Sequence, residues 1–313
     1  MSEQTTLKRK ITLRGVGLHA GARTTCVIHP APANHGVIFL RSDLATQPRI
    51  RAEASKVVRT DLSTTLGSEG VVVATIEHLM AALSGMGVDN ALVEVDGPEV
   101  PIMDGSSREF ADAIADAGVR TLAIGRKALR LKQKVCVRVG DKFVLGEPAK
   151  KLSIKGSIQF NHRVIGEQTY KFSSDRDFRQ EIASARTFGF LKEVQFLHSK
   201  GLALGGSLDN ALVLDEERLL NSEGLRYQNE FVRHKILDAL GDLALFGMPR
   251  LEASIEVHKA GHELHALFVR KVLEDSANYE IIDLKSAAQQ RQEQASEELL
   301  ADEELAAGLA HAY

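Results

Sequence analysis

Long apolar runs and cysteine pairs are both missing from this 313-residue sequence, and each absence excludes a class of protein. No run approaches the roughly eighteen apolar residues of a membrane span. The first twenty residues contain no apolar segment of the kind found in signal peptides. The two cysteines, Cys26 and Cys136, form no C-x-x-C pair, which argues against a disulfide framework and a thiolate zinc site. We therefore expect a cytoplasmic protein without a transmembrane segment.

The sequence also lacks an excess of charge of either sign. Its net charge is −3, with 44% apolar and 26% charged residues, so composition gives no reason to expect a nucleic-acid partner. The length suits two domains of ordinary size. No oligomerisation signal is visible, and we expect a monomer.

Strand-like and helix-like segments both occur along the sequence. Short alternating segments precede predicted helices at 75–87, with Thr75 as N-cap, and 105–118. From residue 126 the pattern restarts, with a predicted hairpin turn at Gly140 and Asp141. We predict an N-terminal domain over 1–125, a C-terminal domain over 126–285, and an acidic, frayed or disordered tail over 286–313.

Two segments share one order of features, which suggests an internal duplication. Residues 77–95 and 233–257 each contain a histidine, an apolar helix, a glycine and a short strand. His78 and His234 would then occupy equivalent positions on two helices. Helix-turn-strand units are common, so this pattern is weak evidence when taken alone.

The helix "RHKILDALGDLAL" has a polar stripe on an otherwise apolar surface. His234 and Asp238 are four residues apart and share one face, and Asp242 lies one turn further on. Catalytic zinc takes about three nitrogen or oxygen ligands from the protein. The same spacing also occurs in ordinary surface pairs. Glu77 directly precedes His78, and a glutamate beside a ligating histidine is the general base of many metallohydrolases.

Three other segments allow more than one interpretation. The histidines of "HKAGHELH", at 258, 262 and 265, include a candidate general acid, although exposure or core contacts explain at least two of them. The loop "GVGLHAG" would let Leu18 and His19 approach a substrate. The apolar segment 183–214 suits either core packing or a channel for an acyl chain.

Seven motifs, between about residues 3 and 280, together resemble one enzyme family. They are "GVGLHAG", "TIEHLMAAL", "PIMDGSSREF", "ARTFGF", "GLALGGSLDNALVL", "RHKILDALGDLAL" and "KAGH". The chain resembles the UDP-3-O-acyl-N-acetylglucosamine deacetylases, zinc enzymes of lipid A biosynthesis in Gram-negative bacteria. The resemblance implies two similar α+β domains, each a β-sheet packed on two helices. The helical layers would face each other, with the active site between the domains.

The resemblance also implies a role for each matching residue. His78, His234 and Asp238 would be the zinc ligands, Glu77 the general base, His262 the general acid and Thr187 a hydroxyl that polarises the amide oxygen. Lys235, Asp242, Phe188, Leu18 and His19 would contact the substrate. An insert near 188–214 would form an apolar passage for the acyl chain, lined by Leu191, Val194, Ala203, Gly206 and Ser207. His258 is a lesser alternative for the general acid.

The implied reaction is hydrolysis of UDP-3-O-[(3R)-3-hydroxyacyl]-N-acetylglucosamine to the free amine and acetate. Iron(II) could replace zinc in a site of nitrogen and oxygen ligands. The alternatives are a zinc amidohydrolase for another N-acyl substrate and a non-catalytic UDP-sugar-binding protein of the same fold. The tail could be recognised by a protease, as in some family members.

Overall fold

The computed structural model describes residues 2–248 and 250–284, which form nineteen β-strands and six α-helices. The strands are β1 (Glu3–Leu7), β2 (Ile11–Val16), β3 (Arg23–Pro30), β4 (Val37–Arg41), β5 (Arg49–Arg51), β6 (Val57–Arg59), β7 (Thr65–Ser68), β8 (Val71–Val73), β9 (Ala91–Val95), β10 (Val119–Gly125), β11 (Lys127–Leu131), β12 (Val135–Val139), β13 (Lys142–Pro148), β14 (Ser153–Gln159), β15 (Glu167–Ser173), β16 (Phe188–Phe190), β17 (Leu212–Leu214), β18 (Arg250–His258) and β19 (Tyr279–Asp283). The helices are α1 (Glu77–Gly85), α2 (Arg108–Ala117), α3 (Phe178–Glu181), α4 (Leu191–Ser199), α5 (Glu230–Leu243) and α6 (His262–Glu274). The α+β class is confirmed, and the predicted tail lies outside the described residues.

Two larger sheets have the same strand order. In the first, the order is β2-β3-β9-β4-β5. In the second, β12, β13, β18, β14 and β15 are neighbours in that order, and β11 and β19 extend it. Strands β9 and β18 each pair antiparallel on one side and parallel on the other. A helix precedes and follows each of these two central strands, so the repeated order of features extends to the topology.

The buried apolar side chains form two large clusters. Most members of one come from residues 7–117, and most members of the other from residues 129–272. Five residues cross over: Ala54, Ala81 of α1 and Ala111 of α2 belong to the second cluster, and Leu245 and Ala266 of α6 belong to the first. The helices therefore lie where the two clusters meet.

Two local predictions from sequence can be compared with the structure. The hairpin turn at Gly140 and Asp141 is confirmed, because Val139 pairs with Lys142. The prediction that Thr75 caps α1 is wrong. Thr75 has a left-handed φ of 56°, and its hydroxyl donates to Glu99, 2.8 Å away, instead of capping the helix. No helix in the described ranges is long and apolar enough to cross a membrane.

Helices α1 and α5 are in direct backbone contact at Gly241. A Cβ atom at this position would lie 2.0 Å from the carbonyl oxygen of Glu77. Any larger residue would force the two helices apart. This glycine therefore determines how closely the helix that carries His78 approaches the helix that carries His234.

The Gly241→Ala variant should be less stable, because backbone atoms cannot move aside as a flexible side chain can. We expect a loss of about 1–3 kcal/mol in the free energy of unfolding, measured in urea. Gly125→Ala is the matched control, because nothing lies within 4 Å of a Cβ there. Equal stability of the two variants would contradict the close contact.

Candidate metal centre

Three buried side chains from α1 and α5 meet at one point. His78 is the second residue of α1, and His234 and Asp238 lie one turn apart on α5. Their relative exposures are 4%, 2% and 2%. The Nε2 atoms of His78 and His234 lie 3.6 and 3.3 Å from Asp238 Oδ1. The sequence prediction that these three side chains come together is confirmed by the geometry, since their ligand atoms all lie within 4.8 Å of one another.

The nitrogen and oxygen atoms of this group are oriented in a way that suits a metal ion. His234 Nδ1 donates to the carbonyl oxygen of Ala185, 3.1 Å away, which leaves the Nε2 lone pair available. Asp238 Oδ1 is buried without a hydrogen-bond partner, an arrangement that costs free energy unless a cation occupies the space. Zinc bonds of about 2.1 Å in a tetrahedron place ligand atoms about 3.4 Å apart, close to the separations observed here.

The charge states of the group also suit a cation. Burial lowers the pKa of His234 to about 3, so its imidazole is neutral and able to bind a metal. Burial opposes ionisation of Asp238, but the neighbouring His234 and Lys235 outweigh it and hold its pKa well below the ordinary value. Lys235 Nζ donates to Asp238 Oδ2 at 3.0 Å. The group thus offers two imidazole nitrogens, of which that of His234 is neutral, and one carboxylate.

Glu77 lies beside this group at the first residue of α1. It is 3% exposed, and its Oε2 accepts a hydrogen bond from the amide N–H of Thr64 at 3.0 Å. Burial raises its pKa, and neighbouring His262 and His78 oppose that rise only in part. A carboxylate with a raised pKa is a better proton acceptor than an ordinary glutamate.

Asp242 joins a second polar group, one turn beyond Asp238 on α5. Its Oδ2 accepts hydrogen bonds from Nδ1 of His262 and of His265, each at 2.8 Å, and Thr64 donates to Oδ1 at 2.6 Å. Both carboxylate oxygens are therefore occupied by the protein itself. The hydrogen bond from His262 shows that Asp242 orients this ring, and the substrate contact expected of Asp242 stays a prediction.

The pKa values in this second group move in opposite directions. Burial opposes ionisation of Asp242, but His262 and His265 hold its pKa at about 2. Burial disfavours the charged form of His262, but Asp242 and then Glu77 raise its pKa to about 9. His262 is thus a cation at neutral pH, held at the N-terminus of α6 and close to Glu77. The alternative acid, His258, lies elsewhere: it bonds Ser157 and stacks on Phe143.

The "ARTFGF" segment connects to the metal group through Ala185. Thr187 follows two residues later, with its N–H donating to the carbonyl oxygen of Gly105 at 2.7 Å. Phe188 packs edge-on against the His234 ring, with centroids 6.2 Å apart. The ammonium of Lys235 lies 5.4 Å from the Phe188 ring centre. Phe188 and Lys235, two residues predicted to act at the site, are therefore grouped beside His234.

The "GVGLHAG" loop packs on the segment predicted to hold the acyl chain. Backbone N–H groups of Leu204 and Gly205 donate to the carbonyls of His19 and Leu18. A Cβ on Gly206 would lie 3.6 Å from Leu18 Cδ1. Both ring nitrogens of His19 are buried without hydrogen-bond partners. The sequence did not indicate this contact, because the two loops are more than 180 residues apart.

The predicted passage residues are spread over α4 and the loop after it. Leu191 and Val194 are half-buried in α4, Ala203 is buried, Gly206 is half-buried and Ser207 is exposed. No residue of α4 is fully buried. Four large apolar side chains of this segment are exposed: Phe196, Leu202, Leu204 and Leu208. Core packing therefore explains only part of segment 183–214: Ala183, Leu212 and Leu214 are buried in the core, whereas these four large side chains are exposed.

Two imidazoles and a buried carboxylate, with a glutamate beside them, form the type of site found in metal-dependent hydrolases. A family model described as UDP-3-O-acyl N-acetylglycosamine deacetylase matches residues 4–274. The chain therefore belongs to this family.

Individual relatives agree with the family match. A UDP-3-O-acyl-N-acetylglucosamine deacetylase of Myxococcus xanthus is 52% identical over 280 residues, 89% of each chain. Proteins of the same name from Syntrophus aciditrophicus and Nitratiruptor sp. are each 47% identical, over 277 and 288 residues. These matches cover 88% of both chains in the first case, and 92% of this chain and 96% of the relative in the second.

Proposed function

We propose that the chain is a zinc-dependent deacetylase of lipid A biosynthesis. It would hydrolyse the acetamide of UDP-3-O-[(3R)-3-hydroxyacyl]-N-acetylglucosamine, releasing acetate and leaving the amine. The observation that supports this most directly is the buried group of His78, His234 and Asp238, with Glu77 beside it, in a chain whose relatives carry that name.

His78, His234 and Asp238 would hold the ion, and Lys235 would keep the Asp238 carboxylate oriented through its bond to Oδ2. A bound zinc ion supplies positive charge that acidifies water and polarises a carbonyl group. Iron(II) suits the same donor atoms. Glu77, held by the Thr64 N–H, would take a proton from the attacking water.

His262 would donate the proton that the leaving amine needs, because an amine is too basic to leave as an anion. Asp242 keeps this imidazole charged and oriented by accepting its Nδ1 proton. The Thr187 hydroxyl would donate a hydrogen bond to the oxygen of the tetrahedral intermediate. Phe188 and Lys235 would contact the sugar and its phosphates beside His234, and Leu18 and His19 would adjoin the acyl chain.

The apolar surface on α4 and the following loop would receive the acyl chain. Its exposed leucines and Phe196 support this, as does the contact between Gly206 and Leu18. We further propose that residues 1–125 and 126–285 are two domains of shared origin, each a sheet with two helices, with the helical layers facing each other. The matching strand orders support this proposal.

The pH profile of kcat/KM should fall above about pH 9 as His262 loses its proton, since the Asp242 carboxylate raises the pKa of His262 to about 9. The Asp242→Asn variant removes that negative charge, so the pKa of His262 falls and the basic limb moves to lower pH. Profiles of both proteins, measured with saturating metal, test this. If the basic limb of the profile lies at the same pH in Asp242→Asn, a group other than His262 is responsible for that limb.

The deciding experiment measures acetate release from the acylated UDP-sugar before chelation, after chelation, and after zinc or iron(II) is restored. We expect loss on chelation and recovery with metal. Release from other N-acyl substrates but not this one would favour the amidohydrolase alternative. Binding of the UDP-sugar without release would favour the non-catalytic alternative. A monomer in the cytoplasm, and recognition of residues 286–313 by a protease, stay predictions.

A further inference from the structure

A cavity of about 310 Å³ is lined by residues of α1 and α5 that follow His78 and Asp238 along these helices, but not by the metal group itself. Met80 and Leu83 line it from α1, and Leu240 and Leu243 from α5, whereas Glu77 and His78 begin α1. This volume is at the lower end of the range of small-molecule sites. The cavity is therefore separate from the proposed active site, although it touches both helices that carry the metal group.

One wall of the cavity carries a guanidinium without a counterion. Arg250 is the first residue of β18 and pairs with Ala128 through its backbone, but its guanidinium has no hydrogen bond or ion pair to any residue within 2–248 and 250–284. The carboxylate in the same wall, Asp89, is already engaged through its Oδ2 atom. It accepts from Arg126 at 2.7 and 2.8 Å and from the Thr5 amide at 2.8 Å. Burial and the nearby Arg126 lower the pKa of Arg250, and the Asp89 carboxylate opposes that shift only in part.

The other charged side chains that line the cavity add to the positive charge of Arg250. Lys127 and Arg51 also line it, and neither forms an ion pair with a carboxylate within the described part of the chain. Arg176 is the fourth lining cation and pairs with Glu181. Three lining cations without a carboxylate partner face a single carboxylate that Arg126 already neutralises. Such a field attracts an anion.

Polar side chains such as Gln4, Asn34 and Asn90 form part of the remaining lining, and the part formed by α1, α5 and Phe246 is apolar and well packed. Met80, Leu83, Leu240 and Leu243 are between 1% and 3% exposed, and Phe246 is 6% exposed. A fully hydrated inorganic ion would gain nothing from these walls. An anion with an apolar body would bury that body against them while its charged head meets Arg250.

We propose that this cavity binds a small organic anion, with a carboxylate or phosphate head at Arg250 and a short apolar body against α1 and α5. Charge-assisted hydrogen bonds from the guanidinium would fix the head. Lys127, at the exposed rim, would add attraction without close packing.

Methionine methyl groups report directly on this cavity. Of the five methionines, Met80 and Met248 line it, and Met103 lies elsewhere, next to Gly15. The full chain labelled with ¹³C-methyl methionine is titrated separately with octyl phosphate, octanoate, neutral octyl glucoside and inorganic phosphate. We expect saturable shifts of the Met80 and Met248 signals with the two octyl anions only. The octyl anion that binds with the higher affinity identifies the preferred head group.

Charge variants test the part played by Arg250. Arg250→Gln should weaken binding of the octyl anions by about tenfold or more, the usual cost of losing a hydrogen bond between charged groups. Lys127→Gln, at an exposed position, should weaken binding less and serves if Arg250→Gln fails to fold. Arg14→Gln, an exposed arginine outside the cavity, is the matched control. Three outcomes would overturn the proposal. The neutral octyl glucoside could bind as tightly as the octyl anions, or the shifts could be confined to the Met103 signal. The octyl anions could also bind Arg250→Gln and Lys127→Gln with the wild-type affinity.

Discussion

The Asp238→Ala variant is expected to lose its metal. The carboxylate supplies the one negative charge of the group, and its Oδ1 lies within 3.6 Å of both histidine Nε2 atoms. Changes outside the ligand set already cost about 10–100-fold in metal affinity, so loss of a ligand should cost at least about 100-fold. Metal content after dialysis against a buffered zinc solution, measured by elemental analysis, gives the result.

Asp242→Ala is the matched control for this experiment. It removes an equally buried carboxylate one turn further along the same helix, outside the metal group. We expect it to retain zinc while losing turnover, because His262 loses the partner that keeps it charged. Zinc binding by Asp238→Ala at wild-type affinity would show that the ligand set is wrong.

The Glu77→Gln variant is expected to keep its metal and lose most of its turnover. Glutamine preserves the shape and can still accept the Thr64 N–H, but it cannot take a proton from water. Removal of a general base typically costs about 10²–10⁴-fold in rate. Acetate release in single-turnover assays, together with metal analysis of the same sample, separates the chemical step from metal loss.

Glu94→Gln is a suitable control, because Glu94 is a partly exposed glutamate paired with His29. It should leave kcat unchanged. If Glu77→Gln turned over at the wild-type rate with full metal content, the proton acceptor would have to be another group. His262→Ala in the same assay would then show whether the reaction still depends on His262 as the general acid.

The metal group could be predicted from sequence because its spacing is local. His234 and Asp238 share a helix face through the helical repeat, and Glu77 adjoins His78 in the chain. Joining the two helices required the repeated order of features and the family resemblance. The strand order common to both sheets now gives that repeat a structural basis.

Other contacts at the site depend on tertiary packing that no local pattern contains. The Ala185 carbonyl orients His234 from 49 residues away. Thr64 bonds both Glu77 and Asp242, although nothing in its neighbourhood distinguishes it from an ordinary loop threonine. His262 and His265 both donate hydrogen bonds to Asp242. Their spacing of three residues on α6 places the two rings on one face of the helix. Such contacts follow from the way the helices pack, which the sequence does not state.

The separation of the proposed metal ligands along the chain has a consequence for the stability of the folded protein. His78 and Asp238 come from helices on opposite sides of the junction between the two clusters, so an ion held there would tie distant parts of the chain together. Such an ion binds the folded chain and not the unfolded one, and at 100 times its dissociation constant it adds about 2.7 kcal/mol to stability. Metal supply would then govern how long each molecule survives proteolysis, in addition to how fast it turns over.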